Sequence, residues 1–65
     1  MPNRLEIAET VREACLVAAL AAYEDAGIRG LCGEGRWELA MQAIRNLDLR
    51  SFVAKSEQQA GVSPL

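Results

Sequence analysis

Two cysteines and three serines are the side chains that could act as nucleophiles in this 65-residue chain, which has no histidine. A serine or cysteine nucleophile needs a neighbouring base to take its proton, and histidine is the usual one. Cys15, Cys32, Ser51, Ser56 and Ser63 therefore lack the partner that such catalysis requires. The sequence predicts no catalytic residue and favours a protein that is not an enzyme.

The cysteines do not form a metal motif either. Their spacing matches no CxxC or zinc pattern, and two thiolates without histidine cannot complete a tetrahedral site. Cys15 falls on the apolar side of a predicted helix and is most simply a small core residue. Cys32 lies in a glycine-rich segment between Arg29 and Arg36, where it is either a thiol of lowered pKa or a tolerated loop residue.

The segment from Gly27 to Trp37 holds four of the five glycines and the single tryptophan. It could place backbone N–H groups around a phosphate at a helix N-terminus, with candidate cofactor-binding residues Arg29, Gly33, Gly35 and Arg36. Against this, no strand precedes it, neither the P-loop ending nor the GxGxxG order is present, and Glu34 would repel an anion. The favoured interpretation is a turn with Trp37 anchored on the core, and we expect no cofactor.

A first helix is predicted from about Arg4 to Ala26. Asn3 and Glu6 have the spacing of a capping box. At 100° per residue, ten small or apolar side chains fall on one arc of roughly 160°; they are Leu5, Ala8, Val11, Cys15, Leu16, Ala18, Ala19, Ala22, Tyr23 and Ala26. Val17 and Leu20 lie outside this arc.

Gly27 is the predicted stop of this helix, in the left-handed conformation that glycine adopts readily, with Ile28 then contacting Tyr23. Acidic residues in a last turn oppose the helix dipole. We therefore expect Arg29 or Arg36 to pair with the carboxylates of residues 24 and 25.

A second helix is predicted from about Glu34 to Asn46, because Trp37, Ala40, Met41, Ile44 and Leu47 recur at helical spacing. Asp48 could cap a short third helix carrying Leu49, Phe52 and Val53. The remaining sequence has no period, so we expect a single domain at 1–55 and a flexible tail at 56–65.

The predicted fold is all-α, an antiparallel helical hairpin with a short third helix. Such a layer buries one face only, so we expect two chains to complete a bundle as a homodimer. The expected interface residues are Val11, Cys15, Leu16, Ala19, Tyr23, Trp37, Met41 and Ile44.

The formal net charge of −2 argues against a nucleic-acid partner bound through a broad basic field. Residues 1–26 carry two basic and five acidic side chains, and residues 27–65 carry five basic and four acidic ones, giving −3 and +1. Such opposed halves suit antiparallel packing, and equally suit an uneven solvated surface. No run suits a membrane span or a secretory signal, so we expect a cytoplasmic protein without a membrane partner.

Three segments, 22–28, 30–38 and 43–49, resemble a group of short bacterial proteins of no established activity, some of them labelled acetyltransferase. The resemblance covers most of residues 3–53. It would imply acetyl-CoA chemistry. The loop that binds the acetyl-CoA pyrophosphate in the N-acetyltransferase fold has an Arg/Gln-x-x-Gly-x-Gly/Ala pattern, and Arg29 stands one residue too far from the segment 33–35 to match it. The N-acetyltransferase fold also needs a mixed sheet and a longer chain.

Two functions remain open from the sequence. The first is a small non-catalytic interaction or regulatory protein that acts through self-association or binding of a protein partner. The alternative is an accessory to acyl-CoA or nucleotide chemistry that uses the Gly27–Trp37 segment, with Arg29 and Arg36 as anion contacts.

Overall fold

The computed structural model describes residues 3–54, and over that range the chain is helical without a β-strand. Two helices make up most of it, α1 at Arg4–Ile28 and α2 at Gly33–Arg45. Residues 50–54 are also helical. The tail predicted at 56–65 lies outside the described residues.

The start of α1 is as predicted. The Asn3 side chain accepts a hydrogen bond from the Glu6 backbone N–H at 2.8 Å, and the Glu6 carboxylate accepts one from the Asn3 backbone N–H at 3.3 Å. This reciprocal capping box satisfies two backbone donors that a helix start otherwise leaves free. It fixes the first residue of α1.

The predicted end of α1 at Gly27 is wrong, because the helix continues through Ile28. The left-handed residue is Gly30, with a φ of 89°. Gly30 N–H donates to Gly27 O and Leu31 N–H donates to Ala26 O, each at 3.0 Å. These two bonds form a Schellman motif three residues later than expected. Ile28 is left 85% exposed and does not pack on Tyr23 as predicted.

The predicted pairing of an arginine with the acidic last turn is confirmed for Arg29. Its Nη2 lies 2.6 Å from Asp25 Oδ2, and its Nε donates to the same oxygen at 2.9 Å. Both side chains are largely exposed, so the pair adds only about 0.5 kcal/mol. Asp25 and Arg29 are four residues apart, a spacing that brings their side chains together when the helix extends through residue 28.

The bounds of α2 match the prediction to within one residue. Cys32 is the N-cap and Asn46 the C-cap. After α2, Asp48 Oδ1 accepts a hydrogen bond from the Arg50 backbone N–H at 3.1 Å. Asp48 therefore caps the helical residues 50–54.

The two helices pack side by side, and the short connection at residues 29–32 makes them antiparallel. Among residues 3–54 the buried apolar residues are two alanines, Ala26 and Ala40. Half-buried side chains surround them; they are Ile7, Val11, Ala14, Cys15, Ala18, Ala19 and Ala22 on α1, and Leu39, Met41, Ala43 and Ile44 on α2. Small side chains allow the two helix axes to come close, and the alanine-rich side of α1 therefore faces α2.

This choice of side leaves part of the predicted arc uncovered and corrects one expectation. Leu5, Leu16 and Tyr23 belong to that arc and are exposed, because it is wider than one neighbouring helix can cover. Trp37 was predicted to anchor the turn on the core, but it is 62% exposed and lies beside the helix contact.

The result is a single layer of helices. The smallest principal extent is 15 Å. No helix among residues 3–54 is long and apolar enough to cross a membrane. The layer leaves both of its broad sides open to solvent.

Candidate interaction surface and glycine-rich turn

One broad side of the hairpin collects large apolar side chains from both helices. On α1, three side chains lie roughly 100–160° around the helix axis from Ala22, counted in the sense in which the chain winds from its N-terminus to its C-terminus; they are Leu16, Leu20 and Tyr23. On α2, three side chains lie roughly 40–100° from Ala40 in the same rotational sense; they are Trp37, Met41 and Ile44.

These two sets lie on the same side of the layer. The two helices face each other and run in opposite directions. A rotation in the same sense about each chain direction therefore moves a side chain toward the same broad side of the layer. We call the combined set the apolar face, made up of Leu16, Leu20, Tyr23, Trp37, Met41 and Ile44.

Four of the six side chains of the apolar face are exposed. Leu16 is 58% exposed, Trp37 62% and Tyr23 38%. Met41 and Ile44 are half-buried. Of the predicted interface residues, Val11, Cys15 and Ala19 lie against α2 instead, half-buried between the helices. Leu20 also belongs to the apolar face, although it lies outside the predicted apolar arc of α1.

Charged side chains border the apolar face. Arg12 lies on the same side of α1 as Tyr23, and Arg45 and Glu38 lie at the outer edge of α2. Within the described part of the chain, ion pairs closer than 4.0 Å join Asp25 to Arg29 and Asp48 to Arg50, and none includes Arg12. Arg12 is thus an exposed cation beside the apolar face.

The glycine-rich turn uses its two arginines within the chain. Arg29 pairs with Asp25. The Arg36 Nε donates to Leu31 O at 3.2 Å, and its guanidinium lies 5.6 Å from the centroid of the Tyr23 ring. At this distance the cation interacts with the ring face. Arg36 therefore ties the start of α2 to the turn and to the end of α1.

The other candidate cofactor residues are also explained by local structure. Gly33 is the first residue of α2, with open space where a Cβ would lie. At Gly35 an added Cβ would lie 3.1 Å from a methyl carbon of Leu31. The glycine at 35 lets the turn close on itself.

Cys32 is exposed at the N-cap of α2. The thiol itself makes no capping hydrogen bond. Backbone N–H groups of Gly35 and Glu34 face the sulfur and favour its thiolate, with a smaller contribution from the Arg36 charge, so the pKa of Cys32 is lowered. Cys15 is half-buried against α2, as expected for a small core residue.

The turn and the apolar face are thus separate features that meet at Tyr23 and Arg36. A comparison with protein-family models finds no match, and no curated protein or solved structure matches the chain.

Proposed function

We propose that this chain is a non-catalytic interaction protein whose working surface is the apolar face. The observation that carries the proposal is the exposure of Leu16, Leu20 and Trp37 on one side of a layer in which, over the described part of the chain, the buried apolar residues are two alanines. An apolar patch of this kind on a soluble protein is typical of a protein–protein contact.

The small core supports the same proposal. No large side chain among residues 3–54 is fully buried. Covering the apolar face would supply the burial that the single layer lacks.

The alternative, an accessory site for acyl-CoA or nucleotide in the turn, has less support. Both candidate anion contacts, Arg29 and Arg36, already bind groups of this chain. Glu34 lies in the first turn of α2, where it opposes a second anion.

The test is affinity capture from the native cell, with the protein carrying Leu16→Asp or Val17→Asp. Leu16 and Val17 are both 58% exposed, but Val17 lies 100° further around α1 and away from the apolar face. We expect Leu16→Asp to lose the partners, identified by mass spectrometry, and Val17→Asp to keep them. Equal capture by the two variants would refute the proposal.

A further inference from the structure

We propose that the apolar face is covered by a second copy of this chain, related by a two-fold axis that puts the two turns at opposite ends of a four-helix bundle. This inference rests on the proposed function and names the partner. It follows from the area of the face, the thickness of the layer and the distribution of charge.

The area of the apolar face suits a dimer. A large side chain buries about 150–250 Å², so the exposed fractions of Leu16, Leu20, Tyr23 and Trp37, with the half-buried Met41 and Ile44, amount to on the order of 500 Å². A standard interface covers about 800 Å² on each partner, and its rim is polar. Arg12, Glu38 and Arg45 would supply that rim.

The thickness of the layer suits a bundle. The layer is 15 Å thick and has helices at a single level. Two such layers, packed through their apolar faces, give four antiparallel neighbours around one core. Because a two-fold interface uses the same patch on both copies, one apolar face per chain is sufficient.

The charges favour one of the two possible arrangements. The end of the hairpin that carries the turn holds Arg29 and Arg36 together with four acids, Glu24, Asp25, Glu34 and Glu38, a net charge of −2. The rest of the described chain holds Arg4, Arg12, Arg45 and Arg50 against Glu6, Glu9, Glu13 and Asp48, a net charge of 0. Turns at the same end would place two acidic ends together, whereas turns at opposite ends separate them.

Opposite ends also set Arg12 toward the acidic end of the other copy along the length of the layer. The Arg36 guanidinium lies beside Gly27, and a rise of 1.5 Å per residue then places Glu38 and Glu24 roughly 15–20 Å from Arg12 along the layer. The point midway along the layer between Arg12 and these two acids falls beside Ala19 and Ile44, at the centre of the apolar face. A two-fold axis through that point brings Arg12 of each copy level with the acidic end of the other.

Analytical ultracentrifugation of the full chain tests the dimer. We expect the wild type and Val17→Asp to dimerise at micromolar concentration, and Leu16→Asp to weaken the dimer at least tenfold. If circular dichroism shows that Leu16→Asp is unfolded, the wild type alone tests the dimer. Its Tm should then rise with protein concentration, as the Tm of a dimer does. A wild type that stays monomeric at 200 µM overturns the inference. The proposed function would still stand if Leu16→Asp alone lost its cellular partners.

Spin labels on Cys32 test the arrangement. Cys32 is exposed, and Cys15→Ala leaves it as the single thiol. Turns at opposite ends place the two labels roughly 35–40 Å apart, whereas turns at the same end place them within about 20 Å. A distance in the shorter range from double electron–electron resonance would overturn the arrangement.

Discussion

The guanidinium of Arg36 occupies the space beside the Cα of Gly27, where a β-carbon would lie 2.8 Å from Cζ. Glycine in the last turn of α1 thus makes room for an arginine at the start of α2. The contact joins the two helices through a side chain that also binds Leu31 O and lies over the Tyr23 ring. It explains why a glycine is tolerated inside a helix.

The first prediction concerns the coupling between these two residues. Gly27→Ala gains about 1 kcal/mol of helix propensity, but the added methyl displaces Arg36 and weakens contacts worth a similar amount. We expect Gly27→Ala to be neutral or destabilising by up to about 1 kcal/mol in the wild type, and stabilising by about 1 kcal/mol in Arg36→Ala. Urea unfolding of the four proteins at one concentration measures this, and additive effects would contradict the contact.

The second prediction compares two glycines of the turn. Gly30 has a φ of 89°, so Gly30→Ala should destabilise the protein by about 1–2 kcal/mol. Gly33→Ala is the control, because a Cβ there meets open space and its backbone is helical, so it should be neutral or stabilising by up to about 1 kcal/mol. Thermal unfolding separates them, and similar losses for both would be inconsistent with a Schellman motif closed by Gly30.

These glycines also show what the sequence could predict of the fold. The starts of the helical segments were predictable from Asn3 and Asp48, because capping depends on residues within one turn. The end of α1 was not, since Gly27 and Gly30 are each followed by a large apolar residue and carry the same local signal. The residue that contacts Gly27 inside the helix is Arg36, nine residues further along the chain.

The apolar face was predicted in part, for a similar reason. The periodicity identified the apolar side of each helix, including Trp37, Met41 and Ile44. It could not show which part of a wide arc α2 would cover, because that depends on how closely the alanines let the helices approach. Leu39 and Leu20 were missed; the spacing of Leu39 from Ala43 is the signal that places it on the packed side.

The third prediction concerns the capping box. Asn3→Ala removes the acceptor for the Glu6 N–H and should lower stability by about 1 kcal/mol. Thr10→Ala, an exposed position further along α1, is the control and should change stability little. Amide exchange should quicken in the first turn of α1 in Asn3→Ala alone, and unchanged protection there would argue against the cap.

The last prediction is a pH dependence at Cys32. Its pKa is lowered in the folded chain, first by the backbone N–H of Gly35 and then by that of Glu34, with Arg36 a smaller contribution. In Cys15→Ala, the rate of alkylation by iodoacetamide should therefore rise with pH through a midpoint below that of the same chain unfolded in urea, where a free thiol has a pKa of about 8.5. Arg36→Gln should raise the native midpoint only slightly, because the backbone contribution remains.

The same shift has a defined sign for stability. Between the native and unfolded pKa values the unfolded chain binds more protons at Cys32, so stability should rise with pH across that interval. The contribution is fully present above the unfolded pKa and is lost as pH falls through the native one. Cys32→Ser should remove this slope from urea unfolding measured across that interval, and an identical slope in Cys32→Ser and the wild type would place its origin elsewhere.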